Sequence, residues 1–202
     1  MIGIIDYGAG NLMSVSNALK SLGLPHRISR EREVLAACDK LILPGVGAFP
    51  YAMKSLREAG LVDFIRDECG RGKPLLGICL GMQMLFDDSD ELEPTAGLGL
   101  IPGRVTLIRT EEKLPCIGWN ALRYHHPCPL LDGVPEGTYV YFVHSYCGHP
   151  AREEDLIATA DYGEPVTALM GHGVVFGAQF HPEKSGDLGL RMLKNFGELR
   201  AE

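Results

Sequence analysis

The chain is 202 residues long, 46% hydrophobic and 22% charged, values ordinary for a globular protein with a proper core, and the length allows one large α/β domain or two small ones. Its net charge of -7 excludes nucleic acid and anionic membrane as main partners. Six scattered cysteines (38, 69, 79, 116, 128, 147) form no Cys-x-x-Cys pair, and no apolar run reaches membrane-spanning length, so a soluble protein of the reducing cytoplasm is expected.

Met1 to Asp6 reads as a buried parallel strand, with Ile2, Ile4 and Ile5 supplying β-branched bulk. A Gly-rich turn from Asp6 to Asn11 leads into a helix, with Asn11 as N-cap and Leu12, Val15, Leu19 and Leu22 at helical spacing. The dinucleotide fingerprint fails because Met13 stands three positions after Gly10. A phosphate loop fails because Gly72-Lys73 is followed by Pro74. No cofactor is expected. Leu24 to Ser29 reads as a second strand, Glu31 to Cys38 as a short helix and Lys40 to Leu43 as a third strand. This alternation predicts an α/β fold with a doubly wound, mostly parallel sheet and helices on both faces. The third strand runs into Pro44-Gly45-Val46-Gly47, a loop that offers only backbone groups. Taken alone, it reads as a plain strand-to-helix turn. Helices over Tyr51 to Ala59 and Leu61 to Arg71 follow.

Pro74-Leu75-Leu76 is a short buried strand, and Met82 to Phe86 reads as the first turns of a helix. Between them, Gly77-Ile78-Cys79-Leu80-Gly81 has the form of a nucleophile elbow with a thiol in place of a hydroxyl. A Cβ on either side of the nucleophile would clash with neighbouring backbone, hence the two glycines. The helix start would set its positive end beside the sulfur and favour thiolate, and the Leu80 amide is placed as an oxyanion donor. The bland alternative is that Cys79 is a small buried hydrophobe.

Asp87 to Glu93 reads as a solvated acidic loop without calcium-loop spacing. From Gly97 the texture changes to short strands, at Arg104 to Ile108, Gly118 to Leu122 and Thr138 to Val143, suggesting a smaller antiparallel portion. His125-His126-Pro127-Cys128 is a poor metal site, since adjacent histidines before proline rarely converge on one ion. Tyr139 to Tyr146 reads as a strand ending in polar groups, with Ser145 and Tyr146 facing a pocket. Glu164 to Met170 and Gly173 to Phe180 flank a hairpin signal at Gly171-His172-Gly173. Gly186 to Leu199 is a last helix, with Leu190, Leu193, Phe196 and Arg200 along one side.

A thiolate nucleophile needs a base that takes and returns a proton, and an acid to orient that base. His181 ends an apolar strand and precedes Pro182, which favours extended backbone. Residues two apart then point the same way, so Glu183 reaches the imidazole. Cys79, His181 and Glu183 therefore form a candidate triad, in an order distinct from that of the hydroxyl-nucleophile hydrolases.

Gly-Ile-Cys-Leu-Gly-Met-Gln at 77–83, Pro-Gly-Val-Gly at 44–47 and His-Pro-Glu-Lys-Ser at 181–185 resemble the class I (triad) glutamine amidotransferases, of flavodoxin-like fold. Asp-Tyr-Gly-Ala-Gly-Asn-Leu at 6–12, Gly-Trp-Asn at 118–120 and Tyr-Phe-Val-His-Ser-Tyr at 141–146 narrow the likeness. Together they resemble the glutaminase subunits of imidazole glycerol phosphate synthase, over essentially the whole chain as a single domain, 1–202. One departure is Cys116-Ile117, where such subunits are expected to carry His-Met.

The resemblance implies that Cys79 attacks the side-chain amide of glutamine, that His181 protonates the departing ammonia, and that a glutamyl thioester is hydrolysed. It implies that Gln83, Ser145 and Tyr146 hold the amino-acid end of glutamine, and that Val46 or Gly47 supplies an oxyanion N–H beside Leu80. It further implies a heterodimer with a (β/α)₈ cyclase subunit, which receives the ammonia in histidine biosynthesis. No metal is called for. Trp119, the only tryptophan, together with Asn11 and Lys184, is expected near the partner contact. The rival readings are an ammonia donor to a pyridoxal phosphate or surface-sugar synthase, a cysteine peptidase of similar fold, and a binding module with a vestigial site.

Overall fold

The computed structural model describes residues 1–199; Arg200, expected on one side of the last helix, lies outside the described residues. The first half runs Ile2–Ile5 (β1), Leu12–Ser21 (α1), His26–Ser29 (β2), Arg32–Ala36 (α2), Lys40–Gly45 (β3), Phe49–Glu58 (α3), Val62–Gly70 (α4), Leu75–Cys79 (β4) and Leu80–Gln83 (α5). The second half is strand-rich: Phe86–Ser89 (β5), Thr95–Ala96 (β6), Ile101–Leu107 (β7), Cys116–Ala121 (β8), Arg123–Tyr124 (β9), Tyr139–His144 (β10), Tyr146–Pro150 (β11), Leu156–Asp161 (β12), Pro165–His172 (β13) and Val175–Ala178 (β14). Gly186–Glu198 (α6) follows.

One eight-stranded sheet, ordered β2-β1-β3-β4-β14-β13-β12-β9, carries the fold. The first five strands are parallel and the last three antiparallel. Alternation along the parallel strands sorts their apolar residues between two faces. Ile4, Ile42, Leu76 and Ile78 pack with Val15 and Leu19 of α1 and Leu193 and Phe196 of α6. Ile5, Leu41, Leu43 and Leu75 pack with Leu35 of α2, Met53 and Leu56 of α3 and Ile65 of α4. This is the doubly wound arrangement that the strand–helix alternation predicts. Among the described residues no helix is long and apolar enough to cross a membrane.

The local detail departs from expectation at several points, mostly where distant segments pair. The helix expected over Met82 to Phe86 ends at Gln83. Beyond it the carbonyls of Met84 and Leu85 accept from Leu98, Leu100 and Ile101 instead of extending the helix. The acidic stretch opens as strand β5, which pairs with β7 in a second sheet ordered β11-β7-β5-β6. Tyr139 to Tyr146 is two strands broken at Ser145: β10 pairs with β8 in a two-stranded ribbon, whereas β11 pairs with β7. Asn11 stands at the start of α1 but makes no side-chain capping bond. The hairpin turns at Gly173, with His172 opposite Val175.

Parallel register sets the functional end. Gly45 lies opposite Cys79 and Ala178 opposite Ile78, so β3, β4 and β14 finish side by side. The segments that leave them carry Val46 and Gly47 in a loop, Leu80 at the start of α5, and His181. Ligands of open α/β sheets bind at these carboxyl ends.

Candidate active site

Cys79 ends β4 with φ 57° and ψ -115°, a region that non-glycine residues rarely occupy and that costs on the order of 1–3 kcal/mol. The neighbours impose it. A Cβ at Gly81 would sit 1.8 Å from the Leu43 carbonyl oxygen, one at Gly77 2.6 Å from the Gly81 oxygen, and one at Gly45 2.4 Å from the Gly81 nitrogen. The elbow therefore lies backbone on backbone across the end of β3, which is the steric demand read from its glycines. Tyr7, buried beneath it, donates its hydroxyl to the Pro44 carbonyl at 3.0 Å and anchors the root of the Val46–Gly47 loop.

The backbone N–H of His181 donates to the Tyr141 carbonyl at 2.9 Å, and its Nδ1 meets Glu183 Oε1 at 2.8 Å. A carboxylate only accepts, so Nδ1 carries the proton and Nε2 is left for Cys79. The two side chains meet differently from the extended-chain expectation. Pro182–Lys184 is a 3₁₀ turn, closed by the Lys184 N–H on the His181 carbonyl at 3.0 Å, and proline's fixed φ suits its first position. Both side chains are essentially excluded from solvent. Burial disfavours protonation of His181, but the Cys79 sulfur and the Glu183 carboxylate outweigh it and push the imidazole up to about 9. His144 shows the opposite balance. Burial pushes it down to about 4, the Tyr146 carbonyl on its Nδ1 resists, and nearby His181 adds to the fall. It stays neutral at physiological pH.

A cleft of about 370 Å³ opens over these groups. Cys79, His181, Leu80, Val46 and Gly47 line it, and so do Gln83, Ser145, Tyr146 and Glu91. Every residue expected at the catalytic, oxyanion and substrate positions except Glu183, whose side chain is fully buried, therefore reaches the cleft wall, and Glu183 touches it through His181. The Leu80 N–H has no partner within its helix, being in the first turn. Gln83 is less free than its sequence position suggests. Its amide nitrogen donates to the Tyr146 carbonyl and to Gln179 Oε1, both at 2.9 Å, leaving only its oxygen to face a ligand.

Glu91 was hidden in the acidic run. Its Oε2 accepts from the Phe49 amide at 2.8 Å, and burial raises its pKa while that bond opposes the rise. Gln179, fully buried beside Cys79, was also missed, and no local pattern marks either residue.

Trp119, 51% exposed, stacks edge-on against Tyr141 at 5.9 Å and shares one face of the β8–β10 ribbon with exposed Ile117 and Tyr139. Lys184 is exposed and Asn11 half-buried, and α1 packs against the Pro182–Lys184 turn. His125 to Cys128 border a separate hollow of about 620 Å³, where His125 Nε2 is engaged with Thr159 Oγ1 at 2.9 Å. Among the described residues, no group of three or more His, Cys, Asp or Glu is arranged to hold a metal.

A cysteine on a strained strand–helix elbow and a charged histidine held by a buried carboxylate, gathered on one cleft at the carboxyl ends of a parallel sheet, define an amidotransferase-type site. The family model for class-I glutamine amidotransferases matches residues 3–198, and the chain belongs to that family. It is 55% identical over 202 aligned residues to imidazole glycerol phosphate synthase subunit HisH of Geobacillus kaustophilus, covering 97% of this chain and 95% of that protein. The subunit of the same name from Shouchella clausii is 52% identical over 205 aligned residues, with 98% of each covered. Among solved structures, PurLQS from Thermotoga maritima superposes with a TM-score of 0.77 at 19% identity, covering 96% of both chains. A glutamine amidotransferase crystal structure gives 0.76 at 23% identity, covering 97% of this chain and 98% of that one. At those identities the two structures speak to the fold alone.

Proposed function

We propose that this chain is the glutaminase subunit of an imidazole glycerol phosphate synthase, hydrolysing glutamine to glutamate and ammonia for a cyclase partner in histidine biosynthesis. In this reading the Cys79 thiolate attacks the side-chain carbonyl carbon of glutamine and forms a carbon–sulfur bond. The carbon–nitrogen bond then breaks as His181 gives its proton to the leaving ammonia. Water, deprotonated by His181, cleaves the thioester, releasing glutamate and restoring the Cys79 thiolate and the protonated imidazole. Glu183 holds the imidazole in orientation. The Leu80 amide and one from Val46 or Gly47 take up the oxyanion, each such donor being worth on the order of 3 kcal/mol.

Substrate binding falls to the remaining groups that line the cleft. The Gln83 oxygen, Ser145 and Tyr146 hold the amino-acid end of glutamine, and the Glu91 carboxylate suits its α-ammonium. The observation that carries the reading is the meeting of Cys79, His181 and Glu183 at the ends of β4 and β14, on a cleft that those groups also line.

The partner is a (β/α)₈ cyclase subunit. Ile117, Trp119 and Tyr139 give it an apolar docking face on the ribbon, with Lys184 on the turn that packs against β10 and α1, and Asn11 at the start of α1. We further infer one domain over 1–202, because the antiparallel strands continue the parallel sheet. A cytoplasmic setting fits six cysteines that are all free.

The test is glutamate release by the chain alone, with a purified cyclase subunit, and with that subunit plus its nucleotide. Turnover should rise at each step and vanish in Cys79→Ala, and a glutamine-mimicking electrophile should label Cys79. Turnover retained in Cys79→Ala, or equal rates in all three mixtures, overturns the reading.

A further inference from the structure

We propose that Gln179 is a catalytic residue that donates a side-chain N–H to the Cys79 sulfur and stabilises its thiolate, at the end of a relay of two amides starting from the Tyr146 carbonyl. The inference rests on Cys79 being the nucleophile.

Its basis is donor and acceptor logic. A backbone carbonyl only accepts, so the atom of Gln83 lying 2.9 Å from the Tyr146 oxygen is its nitrogen. That same nitrogen has a second hydrogen, and the atom 2.9 Å from it on Gln179 is therefore the acceptor Oε1. With its oxygen turned to Gln83, the Gln179 amide turns its nitrogen to Cys79 Sγ, at 3.8 Å. The orientation of a buried amide is thus set by one fixed carbonyl two steps away.

Gln179 is held in place by more than its side chain. Its backbone N–H donates to the Ala168 carbonyl at 2.9 Å, and the residue has no exposed surface. Water therefore does not compete for the sulfur from that side. Besides His181, the Val143 carbonyl lies near the sulfur at 3.9 Å, an acceptor that favours the protonated thiol. The helix behind the elbow is only four residues long, too short to supply the dipole that the sequence suggested. Stabilisation of the anion is left to His181 and to the Gln179 N–H. The relay also links the sulfur to Gln83 and Tyr146, which line the same cleft.

The test is the rate of Cys79 alkylation by iodoacetamide, followed by mass spectrometry on the full chain across about pH 5 to 10. Gln179→Met removes the donor at similar volume. Gln179→Glu keeps the oxygen facing Gln83 and puts an oxygen where the N–H was. In Gln179→Met, alkylation should be about tenfold slower near neutral pH, the scale of one hydrogen bond to a charged acceptor, and should rejoin wild type at the alkaline end, where the thiolate forms unaided. Gln179→Glu should be slower still near neutrality, and it decides the matter alone if Gln179→Met does not fold. Profiles that superimpose on wild type overturn the proposal. So does slowing by one factor at every pH, which would mark a change of access. A wild-type Cys79 that resists labelling while glutamine is still hydrolysed would remove the nucleophile assignment as well, whereas a reactive Cys79 with unshifted profiles removes Gln179 alone.

Discussion

Glu183→Gln preserves the shape of a fully buried side chain and removes its charge. Oε1 would still accept from His181 Nδ1, but Oε2 has no partner among the described residues, so the new NH₂ would lie where no acceptor waits. His181 stands at about 9 rather than 6.5 because Cys79 and Glu183 together overcome its burial. The native chain thus keeps a proton that the unfolded chain releases above pH 6.5. The resulting stabilisation is complete below that pH and is lost as the pH climbs through about 9. At about 1.36 kcal/mol per unit, the raised value is worth roughly 3 kcal/mol. The substitution leaves the contribution of Cys79 and removes much of the other. The loss of stability between about pH 6 and pH 9.5 should therefore shrink to roughly 2 kcal/mol in the variant. Urea unfolding at the two pH values reads this directly, provided that the m-values agree. Glutamine turnover should fall about a hundredfold as the imidazole loses its orienting charge. If wild type and variant lose equal stability across that window, the carboxylate does not hold the imidazolium and the reasoning fails.

Gly81→Ala should abolish turnover and destabilise by about 3 kcal/mol or more, because its Cβ meets a backbone oxygen that cannot move aside. Gly70→Ala, with nothing within 4 Å of the added carbon, should keep both wild-type activity and wild-type melting temperature; equal damage from the two would remove the steric account of the elbow. Glu91→Gln should raise the KM for glutamine about tenfold with kcat changed far less, the pattern of lost ground-state binding, and an unchanged KM would dismiss the ammonium contact. Trp119→Ala should weaken cyclase binding by about 2 kcal/mol, roughly thirtyfold, while the rate of Cys79 labelling without partner stays put; undiminished affinity would move the docking face elsewhere.

The parallel half of the fold and the elbow were legible in the order of residues, because the physics of both is local. Strands buried on two faces read as continuous apolar runs, as at Ile2 to Ile5 and Leu75 to Ile78, and helices between them keep their own period. The glycines flanking Cys79 state a steric demand within five residues. His181 and Glu183 were legible as a pair because they are two positions apart, although the turn that joins them was not. What the tertiary structure alone decided involves partners far apart in the chain. The helix after Cys79 stops because carbonyls at 84 and 85 are taken by amides at 98, 100 and 101. Ser145 separates two strands because each finds a different neighbour. Glu91 reaches the cleft through a bond to an amide 42 residues earlier, and the Gln83 and Cys79 contacts of Gln179 span 96 and 100 residues. Polar side chains carry no period that announces such partners. Whether each faces water, a backbone amide or a sulfur is settled only when the two sheets and the ribbon close around the carboxyl ends of β3, β4 and β14.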